Sequence, residues 1–342
     1  MNTSIGGMFA LQREESFKNG NGLFIFNQPS LQMINASSAI WLLARQLKPR
    51  RVWLPTYLCQ SIIKAIETNK SEIAFYPIDN SLNLLSTSWM EDLDQTDLII
   101  FIDYFGFPFD PDVVKQMQKK GIKVVRDASQ ALLSKSATKT DFTVYSPRKF
   151  FGVPDGGILT SGEQGLGNVG RLNPPPKDWW LRSVHSGKLR RRFDLEGGEN
   201  LWFPVFREVE SNAPIGPYRM SDLSERLLRC CVDVNVTCQR RRENYHYLAS
   251  HLRHIAIFPD LPDTVVPLGF PVCVQDRDKV RRHLIENNIF PPVHWELEGV
   301  VPKTYIQSHN LSKSIMTLPC DQRYETKHMQ RIVEHIQSAR RA

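Results

Sequence analysis

At 342 residues the chain is longer than one hydrophobic core ordinarily supports, so two domains are expected. A hydrophobic share of 41% and a charged share of 23% describe an ordinary soluble globular protein. The net charge is +7, from 43 Lys and Arg against 36 Asp and Glu, with a pI near 9.1. The basic residues are dispersed rather than striped, which argues against a nucleic-acid track and leaves an anionic small substrate open. The tightest basic clusters, Lys188 to Arg192 and Arg240 to Arg242, read as solvated helix face or loop. Six cysteines (Cys59, Cys230, Cys231, Cys238, Cys273, Cys320) form no C-x-x-C pair, so reduced thiols are expected and structural zinc is not. The N-terminus is too short in its apolar part for a signal peptide, and the most apolar later run, Leu98 to Phe109, is broken by Asp103. A cytoplasmic location is the expectation.

The first segment, to about Gln32, is poorly patterned and reads as an arm packed on the body or on a partner subunit. Asn35 to Ala44 then reads as a serine-capped helix. Its start is rich in small hydroxyl residues, and free N–H groups together with the helix dipole make such a start a phosphate cradle; plain capping is the simpler alternative. Arg51 to Leu54 is a short strand with Pro55 to Cys59 as its exit loop, followed by the apolar helix Ser61 to Ile66 and a strand at Ile73 to Tyr76. After an acidic stretch, Glu91 to Asp97, the run Leu98 to Ile102 is a fully buried strand signal, which Asp103-Tyr104-Phe105-Gly106-Phe107-Pro108 leaves at its carboxyl end. Asp110 to Lys120 is a crossover helix leading to the run Ile122 to Val125, which stops at Asp127. Strand, helix and strand at this spacing require a mainly parallel α/β sheet.

A second run, Phe142 to Tyr145, delivers Ser146-Pro147-Arg148-Lys149 to the same rim, and Gly156-Gly157 lets the backbone pass close to something flat. Open α/β sheets bind ligands at that rim. An acid, a lysine and close-approach glycines there suit pyridoxal 5'-phosphate: the lysine carries the aldehyde as a Schiff base and the acid pairs with the pyridine nitrogen. From Gly162 to Pro214 the pattern degrades, with three consecutive prolines and several tryptophans, and such a segment is expected either to set substrate choice or to be variable surface. Tyr218-Arg219-Met220-Ser221-Asp222-Leu223 reads as a helix N-cap before a long helix bearing Arg240 to Arg242 and Tyr245. Short strands and helices follow at Val265 to Val274 and Asp278 to Asn287, then a stretch ending His294-Trp295, and last Ile315 to Tyr324 with an amphipathic helix to Ile336.

Asp127-Ala128-Ser129-Gln130, followed by Lys149 and seven residues on by Gly156-Gly157, resembles the DegT/DnrJ/EryC1/StrS family of sugar aminotransferases. Tyr218 to Leu223 resembles that family's Asn-Tyr-Arg-Met-Ser-Asp/Glu-Leu, with Pro217 in place of the asparagine, and Ser146 stands three residues before the lysine rather than the usual five. The resemblance implies fold type I: a large domain, residues 1–218, with a mainly parallel seven-stranded sheet between helices, and a smaller α+β domain, 219–342, that includes the connecting helix.

It further implies Lys149 and Asp127 as catalytic residues, Gln130 on the ring's phenolic oxygen, and Ser37, Ser38 and Ser146 on the phosphate. Tyr57 or Cys59 would stack on the ring and Gly156 and Gly157 would flank it. Tyr104 borders the site, Tyr218 or Arg219 would replace the missing asparagine, and His294 is either a donor or sugar contact or a structural residue. The implied activity moves an amino group from an amino acid, glutamate by resemblance, to a keto-sugar, nucleotide-linked, in surface-polysaccharide or secondary-metabolite sugar synthesis. A homodimer with sites at the subunit interface is implied, without metal, nucleic acid or membrane. The alternatives are a same-fold dehydratase, which Lys149 argues against because that branch carries histidine there, and a non-catalytic relative that binds or regulates.

Overall fold

The computed structural model describes residues 4–14, 22–27, 29–162 and 165–341. The chain opens with a short strand β1 (Ile5–Gly6), then β2 (Ser30–Met33), helix α1 (Ala36–Leu47), β3 (Arg51–Pro55), α2 (Gln60–Glu67), β4 (Glu72–Tyr76) and β5 (Leu98–Ile102). It continues with α3 (Pro111–Lys119), β6 (Lys123–Asp127), β7 (Phe142–Tyr145) and β8 (Gly157–Ser161). Seven of these strands form one sheet in the order β2-β8-β7-β6-β5-β3-β4. The strands from β4 through β7 run parallel, whereas β8 is antiparallel to both β7 and β2. All five residues of β5 are buried, as a central parallel strand covered on both faces requires.

α1 begins differently from its expected serine cap. Asn35 is the N-cap, in extended conformation, and its side chain accepts from the Ser38 N–H at 2.8 Å, so both serines lie inside the first turn. Asparagine caps as well as serine does, and only one residue can occupy the position. The arm expected up to Gln32 ends in β2, an edge strand paired with β8. Its described first part, residues 4–14, packs on the body: β1 pairs with the later strand at Ile289–Phe290, the Gln12 N–H donates to the Gly152 carbonyl at 2.6 Å, and Arg323 donates to the carbonyls of Gly7 and Met8. The rest of that arm lies outside the described residues.

The degraded stretch holds two helices, α4 (Lys177–Glu196) and α5 (Trp202–Ser211). Within α4 the buried residues are Ser183, Ser186, Gly187 and Arg190, so its packed face has no apolar stripe for periodicity to detect. Where one long helix is expected after Leu223 there are two, α6 (Asp222–Cys230) and α7 (Val234–Leu252). Beyond them come β9 (Phe270–Cys273), α8 (Arg277–Glu286), β10 (Ile289–Phe290), α9 (Ile306–Ser314), β11 (Ile315–Leu318) and α10 (Thr326–Arg341). β9 and β11 pair antiparallel.

Among the described residues three apolar clusters hold the chain together. One fills both sides of the main sheet; a second joins α7, α8, α10, β9 and β11 and takes in Ile5; a third lies behind Phe150, Phe151 and Val153 and includes Met220 and Leu227.

Candidate active site

Asp127 ends β6 and stands opposite Val144 of the neighbouring parallel strand, whose carbonyl accepts from the Ala128 N–H at 2.8 Å. β7 runs on through Tyr145 and Ser146 into a 3-10 turn, Pro147–Lys149. The acid and the lysine therefore leave the carboxyl ends of adjacent strands, where a parallel sheet opens. Asp127 is 6% exposed, and one carboxylate oxygen accepts from the Ser129 N–H at 2.9 Å. Its other oxygen makes no hydrogen bond among the described residues, nor does the half-buried Lys149 amine, which also lacks an ion pair there.

Gln130 is almost fully enclosed. Its Oε1 accepts from the Phe105 N–H at 2.6 Å, while its Nε2 is buried without a partner among the described residues. A buried donor without a partner is costly, and this amide has the capacity to donate to an added acceptor. His294 comes to the same place from the C-terminal part of the chain. Its ring meets the edge of Phe105, with centroids 5.7 Å apart, and its Nδ1 lies 2.9 Å from Thr317 Oγ1.

Burial first, and then the nearby Lys149 ammonium, lower the His294 pKa from 6.5 to about 3. The imidazole is thus neutral in the folded protein at pH values where the unfolded chain would protonate it. Its contribution to stability is complete above about pH 6.5 and is lost as pH falls toward about 3. Between about pH 7.5 and about pH 5 the cofactor-free protein should lose about 2 kcal/mol more in urea unfolding than its His294→Gln variant. Equal losses would refute the placement of a neutral imidazole here.

The expected flat neighbour of Gly156-Gly157 is, in this chain, main chain. The Gly156 N–H donates to the Ile34 carbonyl at 2.7 Å with φ at +144°, and a Cβ on Gly157 would fall on the Asn35 carbonyl group and within 2.5 Å of the Ala36 nitrogen. The glycines let the N-terminus of α1 settle against β8, a few residues from Lys149. Gly157→Ala should cost about 2 kcal/mol or more in urea unfolding, because backbone lies on backbone and no side chain can yield.

Among the serines, Ser38 is fully buried and committed, with its Oγ accepting from the Gly216 N–H at 3.2 Å and lying 3.5 Å from the Pro214 carbonyl. Ser37 is half-buried and Ser146 nearly buried, and neither hydroxyl is hydrogen-bonded among the described residues.

Tyr57, Tyr104 and Trp295 form an aromatic wall, with Tyr57 centred 5.9 Å from Tyr104 and 5.4 Å from Trp295. The Tyr104 hydroxyl donates to the Tyr57 carbonyl, so it is already spent inside the wall. Cys59 is half-buried at the start of α2 and its sulfur accepts from Ser61 at 3.2 Å. The Tyr218 carbonyl accepts from the Ile34 N–H at 3.0 Å, and its ring lies beside Gly216; Arg219 is paired with Asp222, which leaves its cation occupied in an exposed pair. The Pro217 carbonyl accepts from the Asn173 N–H at 2.8 Å.

Asp155, Trp295 and Phe105 were not singled out from sequence. Asp155 is fully buried between the lysine turn and Gly156 and accepts from the Ser221 N–H at 3.2 Å, and burial pushes its carboxyl up. An acid set among Val153, Pro154 and two glycines was the available signal. Through it the segment Tyr218 to Leu223 is docked against the lysine loop.

A mainly parallel seven-stranded sheet whose carboxyl rim carries an acid and, among the described residues, a lysine and a glutamine amide without polar partners defines a fold-type-I transferase. The chain belongs to the DegT/DnrJ/EryC1/StrS aminotransferase family, whose family model matches residues 32–337. The fold is similar to that of DesV from S. venezuelae (TM-score 0.69, 16% identity, 98% of this chain and 92% of that one). It is also similar to Helicobacter pylori PseC, an aminotransferase involved in the biosynthesis of pseudoaminic acid (TM-score 0.68, 16% identity, 98% and 99%). The aminotransferase TlmJ of Streptoalloteichus hindustanus is a third such structure (TM-score 0.66, 16% identity, 91% and 85%). No curated protein matches the chain in sequence. Among the described residues no helix is long and apolar enough to cross a membrane, and no cluster of three or more His, Cys, Asp or Glu could hold a metal ion.

Proposed function

We propose that this aminotransferase uses pyridoxal 5'-phosphate to move an amino group from an amino acid, glutamate by family resemblance, to a keto-sugar carried on a nucleotide. The observation that carries the reading is the Lys149 amine, without a hydrogen bond or ion pair among the described residues, on the turn that leaves β7 at the rim where Asp127 ends the neighbouring strand β6. When bound, the cofactor supplies an aldehyde for an amine and a pyridine ring that draws electron density from a deprotonated carbon. Its fit is favoured by four features of the site. Among the described residues the Gln130 Nε2 lacks an acceptor, one Asp127 oxygen is unused, and the hydroxyls of Ser37, in the first turn of α1, and Ser146 are uncommitted.

In this reading Asp127 faces the pyridine nitrogen and Gln130 donates to the phenolic oxygen. Ser37, Ser146 and the N–H groups at the start of α1 hold the phosphate; Ser38 acts behind them by fixing Gly216. Tyr57 with its aromatic neighbours, or Cys59, borders the ring. Lys149 Nζ would take the proton from the donor's alpha carbon and return one across the site. His294, neutral, offers its second nitrogen to a substrate hydroxyl or carboxylate without adding charge. Tyr104 supports the wall rather than touching substrate, and Tyr218 or Arg219 stands where a partner's cofactor phosphate would approach. The same reading keeps a large domain at 1–218 and a small one at 219–342, a homodimer with shared sites, and a basic surface that attracts the nucleotide diphosphate.

The test is direct. Protein loaded with pyridoxal phosphate is treated with borohydride and digested, and mass spectrometry locates the label. It should sit on Lys149, and glutamate added to untreated holoenzyme should yield about one 2-oxoglutarate per site in the absence of a sugar. A label on another lysine, or no keto acid, would overturn the reading.

A further inference from the structure

Arg241, in the middle of α7, is a fully buried cation. Its Nε donates to Gln322 Oε1 at 2.8 Å, and its Nη1 donates to the carbonyls of Pro267 and Leu268 at 2.9 and 3.0 Å. The guanidinium lies over the Phe150 ring, 4.6 Å from its centroid. Gln322 turns its amide the other way and donates to the Phe150 carbonyl at 2.6 Å. The ring and the carbonyl of the residue that follows Lys149 are thus gripped by one assembly.

The grip has a firm base. Asn244, one turn along the same helix face, donates to the carbonyls of Cys320, Asp321 and Tyr324, which fixes the segment carrying Gln322 onto α7. A second arm runs to the opposite side of the site. The Leu268 N–H donates to the Phe105 carbonyl at 2.8 Å, and the Phe105 N–H donates to Gln130. Burying a guanidinium is expensive, and a methionine would fill the same space; what the arginine adds is a rigid fork of donors aimed at several acceptors.

The geometry points to Arg241 as a positioning residue for Lys149, acting through Gln322 and Phe150, so that the lysine's main chain is clamped while its amine stays free to react. This rests on the reading of Lys149 as the reacting amine. Condensation joins Lys149 Nζ to the aldehyde carbon of pyridoxal phosphate as a C=N bond and releases one water, and its rate depends on where the amine is held.

The test compares the full-length wild type with Arg241→Met and Gln322→Leu by two probes. In cofactor-free protein, acetic anhydride labelling read by peptide mass spectrometry should modify Lys149 about threefold faster in both variants, with the other lysines unchanged, because only the lysine loop is loosened. With pyridoxal phosphate, condensation at Lys149 should slow about tenfold, and Arg241→Lys should recover part of it. Unchanged Lys149 acetylation in folded Gln322→Leu protein overturns the inference, as does a rise shared by all lysines. If Arg241→Met does not fold, Gln322→Leu decides alone. If the wild type fails to condense with pyridoxal phosphate, the proposed function falls, and the acetylation comparison still judges the clamp because it needs no cofactor.

Discussion

Replacing Lys149 with alanine is expected to abolish the borohydride-fixed label and to lower transamination by at least about 10⁴-fold, since both the covalent nitrogen and the proton carrier are removed at once. Stability should hardly move. The Lys149 side chain is half-buried and makes no hydrogen bond or ion pair among the described residues, so its loss breaks no polar pairing there and should stay within about 0.5 kcal/mol. The two readouts separate chemistry from folding: a variant that melts like the wild type yet cannot be labelled isolates the amine as the reacting group. Turnover within about tenfold of wild type would remove Lys149 from the mechanism and with it the assignment of the rim as the active site.

The second large effect is expected at Asp127. Asn is nearly isosteric, and its oxygen can still accept from the Ser129 N–H, so Asp127→Asn should leave the loop in place. What disappears is a negative charge at a nearly buried position, at the spot where this reading places a pyridine nitrogen. A preorganised charge of that kind contributes about 10²–10³-fold in rate, and kcat should fall by that factor with pyridoxal phosphate still bound, though more weakly. Absorbance titration with the cofactor and steady-state kinetics measure the two parts independently. A variant with wild-type kcat would show that the carboxylate orients the loop and does not act on the ring.

Much of the sheet was readable in advance because central parallel strands are buried on both faces. Leu98 to Ile102 and the run ending at Asp127 announce themselves as near-continuous apolar segments, and β5 and β6 fall there. β2 did not, since Ser-Leu-Gln-Met is an ordinary edge sequence that becomes a strand only by pairing with β8. α4 was hidden for a different reason: its packed face is made of small residues and an arginine, which carry no hydrophobic period. The lysine, the acid and the glycine pair stand out as site candidates from type and spacing. The neighbour of the glycines does not, because Asn35 reaches Gly157 only through the fold.

The same division runs through the site residues. By itself the sequence determined the inventory: which side chain can be a nucleophile, which an acid, which a phosphate ligand, and roughly which strand end presents each. The tertiary structure decided which of them still has capacity to bind anything. Ser38 and Ser37 are adjacent and chemically identical, yet Gly216 occupies one hydroxyl and the other has no partner among the described residues. Tyr104 is a phenol at the rim whose donor is already taken by Tyr57, whereas the Gln130 amide has no acceptor among the described residues. Hydrogen-bond satisfaction depends on partners distant in the chain, and no local pattern encodes them.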